Sequence, residues 1–196
     1  SEKEKNKLPS GKYLAYVNSS LTKGKMEVAE AVLKGKLKKE IFFSSYICHP
    51  SMANNELSGP VLLNAIMLFL KDNFKNNLYT YRFVLVPETI GSIAYLSKKI
   101  KILKKNIICG FNLTCVGDER AYSYVPSRNG KSLADTVIKS ALHGFKNVKK
   151  YSFQDRGSDE RQYCSPKVDL PLVAFSRSKE FPEYHTNKDN FDLVTE

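Results

Sequence analysis

His49, Glu56, Glu88 and His185 are the residues of this sequence whose types and spacing could do chemistry. Each stands next to an apolar run. His49 follows Ile41–Tyr46, and Glu56 falls in the first turn of the helix pattern that continues through Pro60–Leu70. Glu88 comes after Tyr79–Val86 and the stop at Pro87. Asp118 and Glu119 come after Asn106–Val116, and Glu183 with His185 after Leu172–Ser176. Two imidazoles and several carboxylates make a donor set for a zinc ion with an open position. A spare carboxylate beside such an ion could take a proton from its water.

Each candidate also has a plain structural use. Glu56 suits a helix start, where the dipole favours negative charge and Asn54 or Asn55 can cap. Glu88 could merely lead into the helix pattern at Gly91, and Asp118 reads as a turn residue. Asp159 and Glu160 open a short helix pattern with Ser158 as cap, yet so polar a cluster beside Tyr163 and Cys164 exceeds what capping needs. His143 ends a helix before Gly144 and is assigned no chemistry. His185, in an aromatic-flanked loop after Tyr184, is the better ligand of those two. Nucleophilic catalysis has less support. Cys48 adjoins His49, but neighbours on a strand point to opposite faces, so a Cys–His pair would need another histidine. Ser58 sits in Leu-Ser-Gly and not in a Gly-x-Ser-x-Gly elbow. Asn129-Gly130-Lys131-Ser132 lacks the upstream glycine of a phosphate loop.

The elements that must position these groups alternate. From residue 41 the order is strand Ile41–Tyr46, helix Pro60–Leu70, strand Tyr79–Val86, helix Gly91–Leu103 and strand Asn106–Val116. Helix Ser132–Leu142, capped by Ser132 and stopped by Gly144, and strand Leu172–Ser176 follow. This rhythm predicts an α/β fold with a mainly parallel sheet between helices. Parallel strands put their carboxyl ends on one edge, where ligands bind in such folds. Residues 1–40 read as a small β-rich lead-in to an α/β domain over 41–196. Within it Tyr13–Asn18 is a short segment, and Met26–Leu33 is strand or helix. Leu193-Val194-Thr195-Glu196 reads as a helix start.

With 196 residues, 42% of them hydrophobic, the chain can bury one sizeable core. No apolar run approaches the ~20 residues of a membrane helix, and Ser1–Lys7 lacks the apolar centre of a signal peptide. The four cysteines are scattered without a CxxC pair, which points to reduced thiols and a cytoplasmic protein. The net charge of +11 is spread along the chain, and basic and aromatic residues do not interleave as in RNA-binding motifs. It argues for attraction of an anionic substrate or surface and against nucleic acid.

Taken together, Ile47–Gly59, Pro87–Ser92, Leu113–Asp118, Asp159–Pro166 and Pro182–Thr186 resemble the aminopeptidase-like domain of bacterial surface-polysaccharide biosynthesis proteins. That family is similar in turn to zinc aminopeptidases of the leucyl-aminopeptidase and glutaminyl-cyclase type. The resemblance spans roughly residues 8–195. It implies a zinc-binding histidine at His49 and another at His185. The bridging Asp of the family's Asp-Asn-x-Ser-Gly motif falls on Asn55, and Glu56 beside it stands in as carboxylate. The family's Glu-Glu pair is matched by Glu88 alone, and its second metal-binding Asp falls on Thr114. An Asp and a His of the family become Asp159 and Glu160. The resemblance also implies longer relatives, with more chain before residue 1 and a winged-helix domain after residue 196.

These readings converge on one expectation. His49, His185 and Glu56 hold a single zinc ion, and Glu88 or Glu56 serves as catalytic carboxylate. Asn55, Asp159, Glu160, Arg161 and Tyr184 contact a small-molecule, peptide or glycan-linked substrate. The alternative is a module that kept the fold, lost the chemistry at Asn55 and Thr114, and binds a sugar or peptide in the same crevice.

Overall fold

Apolar runs of the sequence become strands of one sheet in a computed structural model that describes residues 2–177 and 179–195. A helical turn α1 (Glu2–Lys5) precedes β1 (Ala29–Leu33), β2 (Glu40–Tyr46), α2 (Ser58–Asn73) and β3 (Thr80–Val86). Then come α3 (Ile90–Asn106), β4 (Ile107–Leu113), β5 (Tyr122–Val125), α4 (Leu133–Ala141), β6 (Val148–Lys150), α5 (Glu160–Tyr163) and β7 (Leu172–Ser176). The sheet order is β1-β3-β2-β4-β7-β5-β6. β3, β2, β4 and β7 run parallel, while β1 on β3 and β5 on β7 are antiparallel.

The predicted mainly parallel α/β sheet is therefore present. Met26–Leu33 resolves to a strand, because Ala29–Leu33 pairs with the edge of β3 from Ala29↔Leu85 to Leu33↔Tyr81. Tyr13–Asn18 carries no helix or strand. β5 and β6 go beyond the sequence reading: at four and three residues they are too short to show a period. The helix start expected at 193–196 is not there. Leu193 closes a turn onto Asn190, and the Thr195 N–H donates to Gly117 O at 3.0 Å. Glu196 lies outside the described residues.

Side chains of β2 alternate between two layers. Phe42 and Tyr46 are buried, and Phe42 joins Val84, Tyr95, Leu103, Tyr163 and Leu172 in the larger core cluster. On the other face Phe43 stacks between Phe83 and Phe111, with ring centroids 5.4 and 5.6 Å away. Burial of this size, at roughly 25 cal/mol per Å² of apolar surface, fixes the strand ends to which the loops attach. Ser132 caps α4 in a capping box with Asp135, as its sequence predicts.

The start of α2 lies directly on the sheet. A Cβ on Gly59 would meet Ser45 Oγ at 2.2 Å and Leu113 O at 2.7 Å, so only glycine allows this approach. Gly59→Ala is expected to push α2 off the sheet and destabilise the fold by about 1–3 kcal/mol, measured by urea denaturation.

Candidate active site

β2 lies between β3 and β4, so its carboxyl end opens into a crevice flanked by parallel neighbours. The chain leaves β2 at Tyr46, turns through Ser51 at φ 65°, and enters a π-helical turn, Ala53–Leu57, that leads into α2. π-Helical turns are rare and concentrate at functional sites.

Three orphan N–H groups at the start of that turn find partners on Asp189. Asn54 N–H donates to Asp189 Oδ1 at 2.6 Å, Asn55 N–H to Oδ2 at 3.0 Å, and Ala53 N–H to the Asp189 carbonyl at 3.2 Å. This corrects the capping expected of Asn54 or Asn55. Both side chains are buried and turned elsewhere: Asn54 Oδ1 accepts from Gly117 N–H at 2.8 Å, and Asn55 Nδ2 donates to the Tyr46 hydroxyl. Asn55 Oδ1 is left without a hydrogen-bond partner.

Glu56 is buried and reaches back over the loop. Its carboxylate accepts from Cys48 N–H at 2.6 Å and His49 N–H at 2.8 Å, and Oε2 lies 3.2 Å from His49 Nδ1. Its first use is to clamp the loop and orient the imidazole. On the other side of the ring, His49 Nε2 lies 3.6 Å from Glu88 Oε2.

His185 arrives from beyond β7. Its ring stacks on His49 with centroids 5.8 Å apart at 28°, and on Tyr184 at 3.9 Å. The two imidazoles brought together here come from loops far apart in sequence. The His185 loop is tied down by Arg120, which bonds Asp118 at 2.6 Å and Glu183 at 2.8 Å. Asp118 and Glu183 are thus structural.

Glu88 is aimed by strain and by Asp159. Thr89, immediately after it, has φ 63° and ψ −66°, an outlier for a β-branched residue and of a kind that clusters at active sites. The Thr89 N–H donates to Asp159 Oδ1 at 2.8 Å, and Ser92 Oγ donates to the same atom at 2.7 Å. Asp159 Oδ2 has no partner. Burial pushes the Asp159 carboxyl up to about 6, against those two hydrogen bonds and with help from the charges of Glu88 and Glu160.

Ser158 does not cap α5 as predicted. Asp159 occupies the N-cap position with its side chain turned to Thr89 and Ser92, and Glu160 instead accepts from Gly157 and Ser158 N–H at 2.9 and 3.2 Å. Glu160 lines a cavity of about 640 Å³ with Glu88, Thr114, Phe181 and Tyr184. Arg161 follows on the outer side of the same turn, exposed and outside that lining. Glu88, Glu160 and Glu180 line this cavity together with Lys179, so it carries both signs of charge.

The Cys48–His49 expectation is corrected. β2 ends at Tyr46, so the two residues are off the pleat, and Cys48 Sγ lies 3.2 Å from His49 Nδ1. Asp189 and Cys48 are thus the participants that sequence reasoning missed. Asp189 sits in an ordinary polar loop sequence, and only the tertiary contact reveals its use. Among the described residues, Cys48, His49 and Glu56 are the group whose ligand atoms lie within 4.8 Å of one another. His185 reaches the site through its ring, stacked on His49 at 5.8 Å, and Glu88 through Oε2, 3.6 Å from His49 Nε2. Two imidazoles with one carboxylate suit zinc, and Glu56 behind His49 matches the outer-sphere carboxylate that orients a ligating imidazole.

The family described as a domain of unknown function, DUF4910, matches residues 4–196. A Clostridium acetobutylicum relative, provisionally named a polysaccharide biosynthesis protein with an aminopeptidase-like domain, is 39% identical over 180 residues. The match covers 91% of this chain and 41% of that protein. A crystal structure from C. acetobutylicum, provisionally named a peptidase, superposes with a TM-score of 0.81 at 38% identity, over 86% of this chain and 40% of the other. A zinc aminopeptidase from Bacillus subtilis superposes with a TM-score of 0.68 at 18% identity, over 85% of this chain and 45% of the other, a likeness of fold. The chain therefore spans less than half the length of these proteins.

In the metal-free protein, folding retains the Asp159 proton from the ordinary 3.8 up to about 6, whereas the unfolded chain has lost it. Stability contributed by this group therefore falls as pH rises through that window. Asp159→Asn is expected to flatten this decline, measured as melting temperature against pH on chelator-treated protein.

Proposed function

Because this chain belongs to the DUF4910 family, and with the aminopeptidase-like fold in hand, we propose that it is a zinc-dependent hydrolase of a peptide or amide bond. The observation that carries the reading is the convergence of His49, His185 and Glu88 beyond the ends of three strands, with Glu88 3.6 Å from His49 Nε2. His49 and His185 would hold one ion beside Glu88. A family carboxylate is an amide at Asn55 and a hydroxyl at Thr114, and this loss of negative charge argues for one ion over two. When bound, zinc with an open position polarises a carbonyl and lowers the pKa of water.

The remaining steps fall to the chain. Glu56 is held by two backbone N–H groups and fixes the His49 ring, which makes it a positioning residue. Glu88, partly buried and facing both the imidazole and the cavity, would take a proton from the attacking water and return it to the leaving amine. Tyr184 and Phe181 would bound an apolar side chain of the substrate. Glu160 and Glu88 give that end of the cavity the charge to receive a cationic amino group.

The relative's name supports a substrate tied to polysaccharide biosynthesis. Among the described residues no helix is long and apolar enough to cross a membrane, and three of the four free cysteines are buried, which supports a reducing, cytoplasmic setting. The neutral residues at Asn55 and Thr114 favour a second reading, a sugar- or peptide-binding module without turnover.

Aminoacyl anilide hydrolysis by zinc-loaded protein separates the two. Under the hydrolase reading Glu88→Gln lowers kcat by about 10²–10⁴-fold with zinc content unchanged, and His185→Ala loses zinc. Absence of turnover by zinc-loaded protein across aminoacyl and N-acyl substrates leaves the binding module.

A further inference from the structure

One imidazole in this crevice faces two different donor sets. Nε2 of His49 looks toward Glu88, the side used in the hydrolase reading. Around Nδ1 stand the Cys48 thiol at 3.2 Å and Glu56 Oε2 at 3.2 Å, and one ligand atom from each of Cys48, His49 and Glu56 lies within 4.8 Å of the others. In a tetrahedral zinc site, Zn–S and Zn–N bonds of the usual length put the sulfur and nitrogen about 3.5 Å apart, and nitrogen and oxygen about 3.3 Å. The three atoms are already close to those separations.

We propose that Cys48 Sγ, His49 Nδ1 and the Glu56 carboxylate form a binding site for a single thiophilic divalent cation, distinct from the His185 side of the ring. The site is pre-shaped by the backbone. Glu88 N–H donates to Cys48 Sγ at 3.1 Å and holds the sulfur beside the ring. Glu56 is fixed by the N–H groups of Cys48 and His49, and each carboxylate oxygen keeps a further lone pair for a cation. Cys48 is exposed, so the cation has a path in, and the fourth position faces solvent. Binding exchanges the thiol proton for the ion: the S–H bond breaks, the sulfur–metal bond forms, and the proton leaves to solvent. A soft sulfur donor selects zinc or cadmium over magnesium or calcium. Nothing in this site requires that the protein hydrolyse anything.

Cadmium is the probe, because a thiolate–cadmium bond has a near-ultraviolet charge-transfer absorption. Titration of the whole chain, with equilibrium dialysis for stoichiometry, should give one band that saturates at a single ion per chain. Cys109, Cys115 and Cys164 are buried, so the band reports Cys48. Cys48→Ser, which keeps an acceptor for the Glu88 N–H, should abolish the band. It should also weaken cadmium binding by at least the roughly 10-fold that even an outer-sphere change costs. His185→Ala should keep the band. The proposal is overturned if cadmium fails to bind, binds without the band, keeps it in Cys48→Ser, or loses it in His185→Ala. In a Cys48→Ser background, loss of zinc in His185→Ala bears on the hydrolase reading alone, as does loss of turnover in Glu88→Gln, since neither side chain belongs to this site.

Discussion

The site depends on a buried carboxylate accepting from two consecutive backbone N–H groups. Glu56 bonds Cys48 N–H and His49 N–H at 2.6 and 2.8 Å, which fixes the path of the loop beyond β2 and the rotation of the His49 ring together. A carboxylate taken out of water needs such partners, because an unpaired one costs several kcal/mol. The same bonds therefore stabilise Glu56 in its buried place and give the imidazole its direction. Cys48 Sγ, 3.2 Å from Nδ1, and the stacked His185 ring complete the surroundings of the imidazole.

Much of the fold was legible in the sequence because it is written in apolar periodicity. Ile41–Tyr46, Tyr79–Val86 and Leu172–Ser176 read as strands and are strands within a residue at their ends. The placement of polar groups after strands was equally legible, since parallel strands deliver their carboxyl ends to one edge. His49, Glu88 and His185 meet there. What stayed hidden depends on distant contacts. The capping of Ala53–Asn55 was assigned to local asparagines, because local pattern is all that a sequence window offers, while the real acceptor is Asp189. Cys48 was misplaced for a related reason. Strand alternation was applied two residues past the point where the strand ends, and the thiol came out on the wrong side of the ring.

Asn55 and Thr114 are neutral residues buried in the crevice. Asn55 keeps its buried place through Tyr46, and Thr114 keeps its ladder bond to Phe175. Thr89 and His185 are both at positive φ. Backbone held in sparsely populated conformations beside Glu88 and beside the second imidazole is costly to keep without a use.

Asp189 has a bearing on the order of assembly. It closes the turn before Glu56 across a separation of 135 residues, so the donor loop acquires its geometry only after the downstream chain has docked. β2, β3 and β4 can pair earlier through shorter connections, leaving the crevice framed but unset. Pairing of β2, β3 and β4 and setting of the donor loop therefore draw on different stretches of the chain. The histidine takes its direction from a carboxylate seven residues away, and the turn that carries that carboxylate is closed from the far end of the chain.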